Sequence, residues 1–392
     1  LVETGQLQPV AKSMSGGAFI PGCLLQILMG VPLLLWADYR APVLLIGLLH
    51  IAAGLLLART LYRAVGGRFV IIYLLVYWLS PWRLFHAGFS WEPAFMFLPA
   101  AAHLWASWKL RSHPAAFPSA VLVGTTVLGM QLHGSFLLLV VFAAVLYVRK
   151  LIRLHWWAGS LGALLGAIPL LPSLQAVLKG PMPAVVPSEG YPRFGLLAVY
   201  PVLRGLGYWF RLGSLDIGGR LKDVVFLEDA WVAGHPAGQL IEGGVVLLFI
   251  LTVASTVLCV VASWWLFRRG RDPSHRSEGW VWLRSYALSG LVAVLIASAL
   301  SPVVIQGWHV LVALPAAAIP VTAWLAERWP PKRAYLRWGI VLFLALRIPE
   351  IIVLGLGHHI YRPVTPSAEG TRTIPERLLE ILPSDSARHR QP

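Results

Sequence analysis

Long apolar runs alternate with short polar turns along most of the chain. Several runs approach or exceed about 18 residues with almost no charge, which is enough for an α-helix to cross about 30 Å of hydrocarbon. The pattern therefore predicts an all-α polytopic membrane protein with about ten transmembrane helices. The predicted spans are 41–64, 69–86, 89–108, 117–132, 134–148, 154–173, 239–266, 280–300, 306–326 and 336–356.

The apolar run 22–36 is shorter than these spans and contains Pro32. We predict that it is an interfacial helix lying on the outer membrane surface, because it is short for a crossing and a polar segment follows at once. The chain begins with residues 1–5, LVETG, without a methionine or a signal peptide. We expect a further N-terminal segment, with one more span, to precede it.

Basic residues are concentrated in five loops between the predicted spans. All five loops fall on one side of the membrane whether or not 22–36 crosses, and the positive-inside rule makes that side the cytoplasm. The other loops then lie outside. They include the long outer loop 174–238 and a short outer tail, 357–392, after a single transmembrane domain, 1–356. The basic positions are Arg59, Arg63 and Arg68; Lys109 and Arg111; Arg149, Lys150 and Arg153; Arg268, Arg269, Arg271 and Arg276; Arg328, Lys332, Arg333 and Arg337.

The composition agrees with a membrane protein. Hydrophobic residues make up 57% of the chain and charged residues 12%, about half the charge of an average soluble domain. The net charge of +15 arises in the short loops, so it favours membrane topology over nucleic-acid binding. Cys23 and Cys259 form no CxxC or metal-binding pattern, and we expect neither a disulfide nor a cysteine-based metal site.

The turn 80–93, SPWRLFHAGFSWEP, carries the densest group of polar and aromatic residues. Glu92 precedes Pro93 at the start of a predicted span, where the positive end of a helix favours an acid. A carboxylate facing a water-accessible cavity is also a candidate general base. Arg83 either snorkels to the interface or offers its fixed fork of donors to a phosphate, and His86 is a second candidate for that contact.

Other polar positions allow both a structural and a functional interpretation. His133 lies at a break between two predicted spans, where a histidine either satisfies local hydrogen bonds or takes part in chemistry. Arg347 and Glu350 are spaced i, i+3 in the last predicted span, so they either pair internally or line a phosphate pocket. His309, near Gln306 and Trp308, is similarly ambiguous. The cations of the long loop include Lys179, Arg193, Arg204, Arg211, Arg220 and Lys222.

Nucleotide-binding and hydrolase motifs are missing from the sequence. It contains no Walker loop, dinucleotide fingerprint, HExxH or GxSxG motif. Their absence counts against ATP-driven transport and against soluble-type hydrolase chemistry.

Residues 1–24, LVETGQLQPVAKSMSGGAFIPGCL, resemble the first outer loop of GT-C membrane glycosyltransferases. These are the protein-O-mannosyltransferase and aminoarabinose-transferase-like enzymes, which use polyprenyl-phosphate sugars. In this resemblance, 1–5 match the end of a short helix and 19–22 match the start of a juxtamembrane helix. The turn 80–93 matches the second outer loop, where the family places an acid at the head of a span, and Glu92 holds that position. The long loop 174–238 resembles the family's substrate-covering loop.

Two features depart from the family pattern. The catalytic acid of the first outer loop would lie upstream of Leu1, and Ile20 or its neighbours stand where a lysine usually precedes the juxtamembrane prolines. Glu92 would therefore work opposite an acid that this chain does not contain.

The resemblance implies a multi-pass enzyme of the inner (plasma) membrane with its active site on the periplasmic or outer face. It implies inverting transfer of a sugar from polyprenyl phosphate to a lipid, glycan or protein acceptor, with Glu92 as the catalytic residue. No cofactor is implied with certainty, and a divalent metal is an open requirement. Candidate substrate or phosphate contacts are Arg83, His86, His133, Arg204, Arg211 and Arg347.

Two other classes of function remain open from the sequence. A polytopic transporter or lipid flippase would have charged or broken helices meeting at the bilayer midplane. An O-antigen ligase or polymerase would also act outside and would carry a large arginine-bearing loop.

Overall fold

The computed structural model describes residues 7–13, 19–38, 40–88, 90–180, 199–216, 236–269, 277–301, 303, 305–329 and 334–346. The described chain opens with two short antiparallel strands, β1 (Val10–Ser13) and β2 (Phe19–Pro21), in which Val10 pairs with Pro21 and Ser13 with Phe19. Almost everything after them is helical. The helices are α1 (Leu24–Leu35), α2 (Arg40–Val65), α3 (Gly67–Trp78), α4 (Pro81–Ala87), a 3-10 helix (Glu92–Met96), α5 (Phe97–Lys109), α6 (Ala116–Met130), α7 (Phe136–Val148), α8 (Trp156–Ala167), a 3-10 turn (Ile168–Leu170), α9 (Leu171–Lys179), α10 (Tyr200–Leu212), α11 (Pro236–Arg268), α12 (Glu278–Leu300), α13 (Gly307–Val310), a 3-10 turn (Leu311–Ala313), α14 (Leu314–Glu327) and α15 (Ala334–Ala345).

Within the described residues, five helical stretches have the length and apolar composition needed to cross a membrane. They are α2, Trp156–Lys179, Phe249–Arg268, α12 and Gly307–Glu327. A sixth crossing results if α3 and α4 form one span, although these two helices bend by 57° where they meet. The architecture is that of an all-α membrane protein, and the prediction of about ten spans is wrong in number.

The missing spans are replaced by helices that are too short to cross alone. The 15 residues of α6 reach about 23 Å at 1.5 Å per residue, against about 30 Å of hydrocarbon. The 13-residue α5 and α7 are shorter still. The break between α6 and α7 falls at the polar turn 131–135, and the turn before α6 contains Pro114, whose preceding residue avoids the helical region. Only part of the predicted span 336–356 lies in the described residues, as α15.

Helix α1 occupies most of the segment predicted to be interfacial. Its 12 residues are too few to cross a bilayer, and they pack along α2. Its first turn is held by the break between α8 and α9, because the Cys23 N–H donates to the Pro169 carbonyl at 2.9 Å. Gly22 allows this junction through a left-handed φ of 85°.

Close helix packing rests on small residues between α6 and α8. A Cβ added at Gly162 would lie 2.7 Å from the Cα of Ala120, and a Cβ added at Gly124 would lie 2.9 Å from the Gly162 carbonyl oxygen. Such contacts of backbone on backbone are typical of membrane helices, in which small residues permit close approach.

The described parts of the five basic loops gather at one end of the bundle, here called the arginine end. Loops that are far apart in sequence touch each other there, and α12 starts among them. The contacts join Arg111 with Glu278, the Arg153 N–H with the Leu110 carbonyl, Gly279 with Ala64, and Arg269 with Glu327.

The opposite end of α12 supports a helix from the segment predicted to be a long loop. Gly205 of α10 packs against Ser298, near the last turn of α12. Part of 174–238 is therefore helical, as α9 and α10, while 181–198 and 217–235 lie outside the described residues. Because α12 has 23 residues, its two ends are about 35 Å apart.

Candidate functional site

Five aromatic rings form a continuous series at the end of the bundle that α10 covers. This tryptophan–histidine cluster consists of His86, Trp91, Trp308, His309 and His133. His86 stacks on Trp91 with ring centroids 5.4 Å apart, and Trp91 meets Trp308 at 5.4 Å. Trp308 contacts His309, which stacks on His133 at 6.0 Å. The rings come from α4, the segment before α5, the α6–α7 turn and α13, so tertiary structure assembles them.

The short helix α4 fixes the position of His86. Ser80 is extended ahead of Pro81, which begins α4 at a position suited to proline. One turn on, His86 Nδ1 donates to the Trp82 carbonyl at 2.7 Å, and the side chain is buried. This bond orients the ring so that its face meets Trp91.

His309 lies between two donors that compete for it. The Gln306 backbone N–H approaches Nδ1 at 3.0 Å, and the Trp308 indole N–H approaches Nε2 at 3.1 Å. A neutral imidazole accepts at only one nitrogen, so it satisfies one of these donors at a time. The first contact caps α13 and the second positions Trp308, which couples the start of this helix to the tryptophan pair.

His133 makes mainly local contacts. Its Nδ1 accepts from the Ser135 hydroxyl at 2.9 Å and from the Ser135 N–H at 3.2 Å. These bonds stabilise the turn between α6 and α7, as expected for the structural interpretation. The stacking on His309 nevertheless brings this turn into the cluster.

A second polar group, here called the arginine–tyrosine cluster, lies along one face of α10. Tyr200, Arg204, Tyr208 and Arg211 follow each other at helical spacing. Arg204 donates to the Tyr200 hydroxyl at 2.8 Å and to Gln306 Oε1 at 2.8 Å. Because Gln306 also caps α13, it joins the two clusters.

Arg211 is held by a buried acid. Its Nε donates to Asp216 Oδ2 at 2.5 Å, and Asp216 is almost completely buried. The guanidinium also lies over the Tyr208 ring, 5.0 Å from the centroid. These contacts fix Arg211 beside Arg204, so that two guanidinium groups from one helix face the same region.

Arg83 points into the protein rather than toward these clusters. It is 4% exposed, donates from Nε to the Trp78 carbonyl at 2.7 Å, and lies over the Trp78 ring at 4.1 Å. Arginine near a helix C-terminus satisfies carbonyl groups that have no partner within the helix. Its contacts thus fit stabilisation of the bend between α3 and α4.

Glu92 is the first residue of the 3-10 helix that leads into α5, and it is 8% exposed. Its neighbour Trp91 stacks on His86, so the carboxylate group lies next in sequence to the tryptophan–histidine cluster. A buried carboxylate is costly unless it is hydrogen-bonded or paired. Its burial at a junction of short elements suits either helix stabilisation or general-base chemistry.

Arg347 lies outside the described residues, as do Glu350, Arg193, Arg220 and Lys222. Among the residues that are described, no group of three or more His, Cys, Asp or Glu side chains could hold a metal ion.

Sequence reasoning missed the roles of Gln306 and Tyr208. Gln306 accepts from Arg204 and joins the two clusters, while Tyr208 packs against both Arg204 and Arg211. The repeat of Tyr and Arg at intervals of four residues in 200–208 was the available signal, because it indicates a helix face within the supposed loop. The sequence placed Gln306 beside His309 at the start of a predicted span, but it gave no sign of the contact with Arg204.

Comparison with known protein families, curated proteins and solved structures found no match.

Proposed function

We propose that the protein is a membrane glycosyltransferase that transfers a sugar from a polyprenyl-phosphate donor to an acceptor hydroxyl, with inversion at the anomeric carbon. The observation that carries the proposal is the grouping of a buried carboxylate, aromatic rings and two arginines at one end of an apolar bundle. We place this end on the outer face, because the arginine end would then face the cytoplasm.

Each group has a role in the proposed reaction. Glu92 takes the proton of the acceptor hydroxyl as its oxygen bonds to the anomeric carbon. The bond from that carbon to the phosphate oxygen breaks, and its electron pair leaves with polyprenyl phosphate. Arg204 donates hydrogen bonds to the phosphate as its charge grows. The rings of Trp91 and Trp308 offer apolar faces against which a sugar ring packs.

The positions of the helix breaks support an enzyme over the alternative transporter or flippase. Such a transporter places its binding site at mid-depth, between discontinuous helices. Here the α3–α4 bend, the α6–α7 turn and the start of α13 adjoin the same cluster at one end.

The test compares two glutamates that each begin a helix. Full-length protein is reconstituted in liposomes with labelled polyprenyl-phosphate mannose or aminoarabinose and a mixture of lipid and glycan acceptors. Released polyprenyl phosphate is then measured. Glu92→Gln should lower the rate about 100-fold or more, which is the contribution of a general base. Glu278→Gln is the matched control, because this exposed acid pairs with Arg111 at the arginine end and should leave the rate unchanged.

Two results would contradict the proposal. Equal rates for the two variants would remove Glu92 from the mechanism. Failure of the wild-type protein to release polyprenyl phosphate from any of the donors would count against the function itself.

A further inference from the structure

Three arginines lie among three tryptophans where α11 and α14 end, at the arginine end of the bundle. The guanidinium groups of Arg269 and Arg328 both lie over the Trp265 ring, 4.9 and 5.1 Å from its centroid. Arg328 also lies 4.3 Å from the centroid of Trp324. Residues from two helices thus hold two like charges around one indole.

A third cation extends this group toward the surface. Arg268 is exposed, and its guanidinium lies 4.5 Å from the centroid of the Trp264 ring. Stacking on tryptophan fixes the planes of the guanidinium groups without neutralising their charge. We call Arg268, Arg269 and Arg328, with Trp264, Trp265 and Trp324, the arginine–tryptophan pocket.

The described part of this pocket has more positive than negative charge. Glu327 forms an ion pair with Arg269 and is the acid that faces these arginines in the described residues. Burial lowers the pKa of Arg328; Glu327 opposes this shift, and the positive charge of Arg269 adds to it. The arginines are thus close enough to repel each other, and an added anion would relieve that repulsion.

An apolar surface leads along α11 into the pocket. Val253, Val257, Val261 and Trp264 follow each other at helical spacing and are exposed, Trp264 to 58%. Arg268 comes one turn after Trp264, on the same face. A phosphate at the pocket would therefore stand at the end of a lipid-facing strip of helix.

We propose that the arginine–tryptophan pocket binds the phosphate headgroup of an anionic phospholipid, whose acyl chains lie along the exposed valine face of α11. Three features carry the proposal: paired guanidinium groups suited to phosphate oxygens, excess positive charge, and a continuous apolar surface for the chains. Attraction of juxtamembrane cations to anionic lipids supplies additional binding free energy. The proposal does not depend on the glycosyltransferase chemistry at the other end.

The test measures lipid preference in nanodiscs. Full-length protein is placed in phosphatidylcholine with or without phosphatidylglycerol, and bound lipid is counted by native mass spectrometry after release into detergent. Wild-type protein should retain phosphatidylglycerol preferentially. In the double variant Arg269→Gln/Arg328→Gln, the preference for phosphatidylglycerol should fall about fivefold for each arginine removed. Inorganic phosphate at the same concentration should not displace the lipid, because it lacks the acyl chains.

Two further variants separate lipid binding from general charge and from misfolding. Arg111→Gln is the matched control, since Arg111 also lies at this end, stacks on a tryptophan and has its own carboxylate partner. It should leave the preference unchanged. Glu327→Gln removes the acid of the pocket and should increase the preference.

Three outcomes would overturn the proposal. The first is an equal loss of preference in Arg111→Gln and in the double variant, and the second is an unchanged preference in Glu327→Gln. The third is displacement of the lipid by inorganic phosphate alone, which would identify a free anion as the ligand.

Discussion

The contact between α6 and α8 gives the sharpest prediction about stability. In Gly162→Ala the new Cβ would lie 2.7 Å from both the Cα and the carbonyl carbon of Ala120. These neighbours are backbone atoms of α6, so no side-chain rotation relieves the overlap and the helices must separate. Overpacking in a close-packed interior typically costs about 1–3 kcal/mol, and backbone contact favours the upper part of that range.

The effect should spread toward the candidate site. Helix α6 ends at the turn that carries His133, and Gln131 donates from this turn to the Gly166 carbonyl of α8 at 2.7 Å. Separation of the two helices should move this turn and weaken the His133–His309 stacking. If the free energy of unfolding falls by about 3 kcal/mol, the ratio of folded to unfolded protein falls roughly 150-fold.

Unfolding by SDS in mixed micelles, followed by far-UV circular dichroism, measures this change. Gly47→Ala is the control, because a Cβ added at this position in α2 meets nothing within 4 Å. Replacing a mid-helix glycine there should stabilise the protein by about 0.5–1 kcal/mol. Equal stability of Gly162→Ala and Gly47→Ala would contradict the close approach of α6 and α8 at Gly162.

Two charged pairs yield further predictions. The hydrogen bonds from Arg40 lower the pKa of Asp38 to about 2, below its ordinary value of 3.8. Asp38 therefore stabilises the fold above about pH 4 and loses this effect toward pH 2. The difference in melting temperature between wild type and Asp38→Asn should be present at pH 7 and vanish near pH 2. Arg211→Gln should destabilise by about 3 kcal/mol, because Asp216 stays buried without its arginine. Adding Asp216→Asn should recover most of this loss in the same SDS titration, and no recovery would contradict the pairing.

Apolar run length predicted the long helices well and the number of spans poorly. The predicted 41–64, 280–300 and 306–326 correspond to α2, α12 and the stretch Gly307–Glu327. Hydropathy does not distinguish lipid-facing from protein-buried residues, and most residues of Gly307–Glu327 are buried inside the protein. Helices at the centre of the bundle and helices at its surface therefore have the same high hydropathy.

The sequence indicates candidate residues by their chemical groups, but it does not show in which direction their side chains extend. His86, His133, Arg204 and Arg211 do meet in adjoining clusters. Arg83 lies only three residues from His86, yet its guanidinium turns back onto the end of α3. Arg83 and His86 lie on the same face of α4, because they are three residues apart, but their side chains contact different neighbouring elements.

The loss of long spans and the assembly of the site have a common physical cause. In a bilayer, backbone groups that leave a helix must be satisfied within the protein, so breaks are tolerated only where other elements cover them. Here the breaks near Ser80, Glu92, His133 and Gln306 adjoin one another through the tryptophan–histidine cluster, and α10 contacts the first and the last of them, with Tyr208 on Trp82 and Arg204 on Gln306. Each break ends a helix early and places polar residues of the turn in the same region. Because several helices are interrupted at the same level of the bundle, their polar turns meet there and form a polar cluster. Four uninterrupted helices would not provide such a cluster.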